Sequence, residues 1–103
     1  MELLKRYRVL TEQVRLLERQ REAGLSQAGE DLETLLAIRT QEREELTDRF
    51  EEVLDRADTA LQRLIVQQYY GFAVSDGAIA QSLACTAKAV NSVRNRFRRR
   101  VEG

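Results

Sequence analysis

The 103-residue chain has no histidine, no proline and no tryptophan, and only one cysteine, Cys85. Without histidine it lacks the commonest general base and the commonest metal ligand. With one thiol, no disulfide can close within the chain. No glycine-rich phosphate-binding loop is present either, so the expectation is a non-enzymatic protein with no cofactor and no metal. No stretch approaches the roughly 18 consecutive apolar residues of a membrane span. The opening "MELLKRYRVL" lacks the apolar core of a signal peptide. No membrane role is expected, and a cytoplasmic location is. The absence of proline leaves long helices unobstructed, and the chain is rich in the helix formers Leu, Glu, Arg, Gln and Ala. The expected fold class is all-α.

A formal net charge of zero, 17 basic against 17 acidic residues, conceals a split. Residues 1–59 carry 10 basic and 15 acidic side chains, a net of −5, and residues 60–103 carry 7 and 2, a net of +5. Such asymmetry points to a polyanion partner for the basic end. The basic end is concentrated in "ACTAKAVNSVRNRFRRR", residues 84–100, which has six basic side chains and no acid.

Leu3, Tyr7, Leu10, Val14 and Leu17 recur in steps of four and three, which predicts a helix over about 2–23 with a narrow apolar stripe. "GLSQAG" at 24–29 predicts a turn. A second helix is predicted over about 30–57, with Leu32, Leu36, Leu46, Phe50, Val53 and Ala57 on one stripe and Arg39 and Arg43 within it. Its middle, "RTQEREE" at 39–45, has no apolar residue and is expected to be exposed. The two form an antiparallel hairpin. Stripes this thin bury little, so the hairpin needs another surface, either the C-terminal unit or a second copy. The expectation is that residues 1–57 pair two chains as a homodimer.

"TALQ" at 59–62 has the capping-box spacing, which predicts a third helix over about 59–70, stopped by Gly71. Ser75 and Asp76 begin a fourth over about 76–83. Thr86 caps a fifth over 87–101. Two short helices joined by a three-residue turn make a helix-turn-helix, so residues 58–103 form a second unit. Ile79, Leu83, Cys85, Val90 and Val93 fill its apolar positions and Ala80 its small one. Cys85 is therefore expected to point inward. Tyr69, Tyr70 and Phe72 are expected in core or turn packing.

The stretch "YYGFAVSDGAIAQSLACTAKAVNSVRNRFRRRV" resembles region 4 of bacterial sigma factors and the related C-terminal unit of small phage transcriptional regulators. It shares an aromatic-glycine turn, Ile-Ala in a short helix, a Leu before the turn, and a capped helix with Val and basic residues. Ala84 departs from the pattern, since glycine usually occupies that turn position. Gly77-Ala78 replaces the acidic pair often found before Ile-Ala. The upstream coiled segment resembles the N-terminal part of RinA- and ArpU-type phage regulators. The resemblance implies sequence-specific binding to double-stranded DNA and a role in phage or prophage transcription, with RNA polymerase as a further partner.

The residues of the last helix agree. Val90, Val93, Phe97 and Val101 define one apolar face. Lys88, Ser92, Asn95 and Arg99 lie opposite, with Asn91 and Arg96 at the flanks. Asn can bond adenine at two points and Lys can reach guanine O6 and N7, while long cationic chains suit phosphates. Thr86, Lys88, Asn91, Ser92, Asn95, Arg96 and Arg99 are accordingly the candidate DNA-binding residues. The rival readings are a coiled-coil adaptor with a non-specific basic helix and a sigma-like accessory factor of RNA polymerase.

Overall fold

The computed structural model describes residues 2–24 and 29–103. Among these residues all regular structure is helical. The order is α1 (Leu3–Glu22), α2 (Gly29–Leu54), α3 (Ala60–Val66), α4 (Asp76–Leu83) and α5 (Ala87–Glu102), with α3 running on into a single π turn over Gln67–Gly71. The 24–29 turn lies outside the described residues except at its ends, where Gly24 has a φ of +70°. Helix α2 stops at Leu54, three residues short of the sequence expectation.

Helices α1 and α2 pack as an antiparallel hairpin, because low-numbered residues of one meet high-numbered residues of the other. At the closed end Leu17 packs on Leu32 and Leu36. At the open end Tyr7 stacks on Phe50, ring centroids 4.2 Å apart and nearly parallel. Leu4, rather than Leu3, begins the buried stripe.

The hairpin finds its other surface within the chain. Leu4, Tyr7, Phe50 and Leu54 form one core with Val66, Tyr70 and Phe97, so α1, α2, α3, the π turn and α5 all contribute. Leu4, Leu54, Val66 and Phe97 are fully buried or nearly so. Burying a side chain of this size contributes about 1.5–3 kcal/mol. The stripe that suggested a seam between two copies is therefore used inside one chain.

Arg43 corrects the expectation that 39–45 is simply exposed. Its guanidinium lies over the Tyr7 ring and donates to Thr11 Oγ1 at 2.7 Å and to the Gly71 carbonyl at 3.2 Å. The cause is the π turn, which leaves the Gly71 carbonyl buried between α1 and α2 and in need of donors. Gly71 itself sits against Phe50, where an added Cβ would lie 3.0 Å from the ring.

Helix α1 has no side-chain cap of its own and no acid in its first turn. The opposite end of the chain supplies both: Glu102 Oε1 accepts from the Leu4 N–H at 2.8 Å. At α3 the Thr59 half of the capping box forms, and the Gln62 side chain reaches one residue past the N-cap. Thr59 accepts from the Gln62 N–H at 3.0 Å, and Gln62 Oε1 accepts from the Asp58 N–H at 2.7 Å.

Helices α4 and α5 enclose a second core of Ile65, Ile79, Ala80 and Val90, with Leu83 and Val93 partly buried against it. Ser75 and Thr86 cap them through Ala78 and Ala89 N–H groups. Ala84 is left-handed, with φ +53°. The Cys85 N–H bonds the Ala80 carbonyl at 3.0 Å and the Ala84 N–H bonds that of Gln81 at 3.4 Å, which is a Schellman termination. That chain reversal turns the Cys85 side chain outward. Cys85 is exposed, which corrects its expected inward position.

Ala84→Gly should raise stability by about 0.5–1 kcal/mol, since glycine tolerates φ > 0 without a Cβ penalty. Gly71→Ala should lower it by about 1–3 kcal/mol through overpacking on Phe50. Chemical denaturation of both variants checks the pair, and a destabilising Ala84→Gly would contradict the left-handed turn. Native Cys85 should react with a thiol reagent at nearly the rate of the unfolded chain. A reaction that waits for unfolding would contradict its exposure.

Candidate nucleic-acid interface

The face of α5 away from the core begins with small residues and continues with basic ones. Val90 and Phe97 are fully buried, which sets the helix's rotation. Ala87, Lys88, Ala89, Ser92, Arg96 and Arg99 are then exposed. Small side chains at the start of the helix let its backbone approach a partner surface closely. No acid interrupts the face.

The seven candidate residues fall into three groups. Thr86 is exposed, but its hydroxyl is engaged in capping α5. Lys88, Ser92, Arg96 and Arg99 are exposed, and no ion pair holds Lys88, Arg96 or Arg99 among the described residues. Asn91 and Asn95 are half-buried and bonded to each other, with Asn95 Nδ2 donating to Asn91 Oδ1 at 2.8 Å.

That asparagine pair belongs to a network that sequence reasoning did not identify. Arg94 Nε and Nη2 donate to the two carboxylate oxygens of Asp76, each at 2.8 Å. This is a two-pronged pair in which the Arg94 side chain is 13% exposed and that of Asp76 19%. Arg94 Nη1 also donates to Asn95 Oδ1 at 3.1 Å, and Asn91 Nδ2 lies 3.5 Å from Asp76 Oδ2. The same guanidinium covers the Tyr69 ring, 3.9 Å from its centroid. Arg8 of α1 stacks on that ring at 3.8 Å. Two guanidinium groups this close to one centroid must occupy opposite faces. Arg8 also donates to the carbonyls of Tyr69 and Val74 and pairs with Glu12 at 2.9 Å.

The arrangement leaves reading capacity on both amides. An asparagine side chain offers two donors and two acceptor lone pairs. Each of Asn91 and Asn95 uses one donor, and each carbonyl accepts one bond. One N–H and one lone pair remain on each, which is the complement of adenine N7 and N6–H.

Charge follows the same network. The Arg94 hydrogen bond holds the Asp76 carboxyl below its ordinary value, against opposing burial. The Asp76 bond correspondingly raises Arg94. Burial raises the Tyr70 hydroxyl, and Arg94 offsets part of that.

The other arginines divide. Arg100 is turned to the start of α3, where it meets the Arg56 carbonyl at 2.8 Å, Gln62 Oε1 at 3.1 Å and Asp58 at 3.5 Å. Arg98 meets Glu2, just before α1, loosely at 3.7 Å. Of the six basic residues in 84–100, Arg94 and Arg100 are thus held by the fold, Arg98 is held only loosely, and Lys88, Arg96 and Arg99 project freely.

The sequence did contain the signal for Arg94. It lies four residues after Val90 and three before Phe97, on the buried flank, and Asp76 is the sole acid between 60 and 101. An arginine on the buried flank with one acid within reach implies the pair. No protein-family model, curated protein or solved structure matches the chain.

Asp76→Asn should destabilise the protein by about 1.5–3 kcal/mol at neutral pH by weakening a charged, largely buried hydrogen-bond pair. Because the folded carboxyl titrates below its ordinary 3.8, the ionised pair's contribution is complete above that value. It is lost as pH falls through the lowered one. Denaturation from pH 7 down to the acid limit should show the wild-type advantage persist to pH 4 and then shrink. An advantage that shrinks between pH 7 and 5 would contradict the assignment.

Proposed function

We propose that this protein is a non-enzymatic, sequence-specific double-stranded DNA-binding regulator of transcription that reads the major groove with α5. The supporting observation is the free face of α5. It has small residues and Lys88 at the start, two half-satisfied asparagine amides at the flank, and Arg96 and Arg99 further along. The recognition helix of a helix-turn-helix contacts base edges with its N-terminal half, while the preceding helix crosses the backbone. In this reading Lys88, Asn91, Ser92 and Asn95 meet bases, Thr86 holds the helix start against the backbone, and Arg96 and Arg99 meet phosphates. A phage or prophage setting is part of the proposal and rests on the sequence resemblance alone.

A coiled-coil adaptor with a basic tail is less well supported, because α5 is built into two cores and its asparagines are held in place. Contact with RNA polymerase would use protein surface away from α5. Leu61, Leu64 and Phe72 are 54%, 40% and 42% exposed there, and a pull-down with polymerase tests it. A homodimer would need a surface other than the α1–α2 stripe, and Leu16, Leu35 and Ile38 are the exposed apolar residues of the hairpin.

Selection of bound duplexes from a random pool should return a preferred site. On that site Asn91→Ala or Asn95→Ala should cost about 1–3 kcal/mol, with little effect on random duplex. Arg99→Ala should weaken both duplexes by similar factors and make the salt slope shallower by about one. Competition binding at two salt concentrations separates these. Identical behaviour of the Asn and Arg variants on both duplexes would reduce α5 to a basic grip.

A further inference from the structure

The geometry points to a second DNA contact, made by the N-terminal hairpin. Lys5 of α1, together with Arg98 of α5, holds a backbone phosphate of the strand running along the Asn91–Asn95 side of the recognition helix. This rests on the DNA-binding reading and extends it to a part of the chain that the helix-turn-helix pattern does not include.

A helix with its side chains is about 10–12 Å across and the major groove about 12 Å wide, so both flanks of an inserted helix approach a sugar-phosphate wall. One flank of α5 carries the free Arg96. On the other flank, beyond Asn91 and Asn95, α5 meets α1. Between the two helices lies an open groove of about 410 Å³ that Asn95 and Arg98 line from one side and Glu2, Lys5, Arg8 and Glu12 from the other. Asn95 therefore belongs both to the reading flank and to this groove. An anion in the groove would lie beside the base that Asn95 contacts.

The charges of the groove show which groups can take that anion. Arg8 is committed to Glu12, Tyr69 and two backbone carbonyls, and Arg94 to Asp76. Arg98 has only the loose 3.7 Å approach of Glu2, and those two side chains are 36% and 54% exposed. Lys5 is exposed and has no ion pair among the described residues. An ion pair so exposed contributes about 0–1 kcal/mol, so a phosphate can displace Glu2 from Arg98 at little cost. Lys5 and Arg98 then converge on it from facing helices. Their separation is set by the fold, because Arg8 on Tyr69 and Glu102 on the Leu4 N–H bind α1 to the rest of the molecule.

The test is a salt titration of full-length protein on the selected site and on random duplex. Lys5→Gln should weaken both by the same factor, roughly threefold to tenfold, and make the slope of log K against log salt shallower by about 0.9. Glu2→Gln should act in the opposite direction, tightening both duplexes by roughly twofold to fivefold because Arg98 loses its competitor. A fold defect cannot produce that gain. Arg15→Gln removes the same charge about 15 Å further along α1, among Glu18, Arg19 and Glu22, and should leave the slope unchanged. A wild-type slope in Lys5→Gln, or equal slopes in Lys5→Gln and Arg15→Gln, overturns the contact, as does weaker binding by Glu2→Gln. Wild-type protein that binds no duplex at any salt concentration would instead overturn the DNA-binding reading itself.

Discussion

Most of what matters at the candidate interface converges on the Arg94 guanidinium. It joins α5 to the start of α4 through Asp76, covers one face of Tyr69 in the π turn after α3, and orients Asn95, which in turn holds Asn91. A guanidinium suits this place because its planar fork engages both oxygens of a carboxylate while its face stacks on a ring. Lysine would keep the charge and lose both geometries. The crossing of α4 and α5 and the orientation of the two asparagine amides thus depend on one largely buried pair. Leaving either charge unpaired inside the protein would be costly, which disfavours crossings that separate the two.

The hairpin and the helix-turn-helix are joined by the same physics on a second scale. The π turn at Gln67–Gly71 leaves the Gly71 carbonyl buried, and Arg43 of α2 and Thr11 of α1 are the groups that satisfy it. One turn earlier on the same side of α1, Arg8 completes the Tyr69 sandwich that Arg94 begins. Apolar side chains from both halves fill the space between, with Phe97 of α5 enclosed by residues of α1, α2 and α3. A small chain with thin apolar stripes has little core in any one part, and sharing it makes the hairpin's orientation relative to α5 a property of the fold. Basic residues on α1 are therefore presented at fixed places beside the outward face of α5.

Sorting the arginines changes the meaning of the basic end. As composition, residues 84–100 are a cluster of six positive charges. In the folded chain Arg94, Arg98 and Arg100 each face another helix and meet Asp76, Glu2 and Asp58, three acids from three different places in the sequence. On the outward face of α5 what remains without an ion pair among the described residues is a sparse pattern, Lys88, Arg96 and Arg99, set around neutral polar groups. In the proposed DNA-binding reading, a sparse pattern of this kind favours discrimination among sequences over simple charge attraction.

The sequence by itself determined the local terms. Apolar spacing and capping residues placed all five helices. The bounds of α4 and the start of α5 were legible to the residue, because Ser75 and Thr86 cap through atoms three residues away. Val90 and Phe97 set the rotation of α5, so its outward face could be read from period alone. Tertiary structure decided whatever depended on partners distant in the chain. Arg43 turns inward for a carbonyl 28 residues away, Glu102 caps a helix 98 residues away, and Arg94 pairs across 18. Cys85 faces solvent because a left-handed Ala84 redirects the chain after α4, and the helical period that assigned it inward no longer applies beyond that residue. Periodicity encodes which side of a helix is buried. It does not encode which buried polar group awaits a partner, and in this protein those groups settle how the hairpin meets α5.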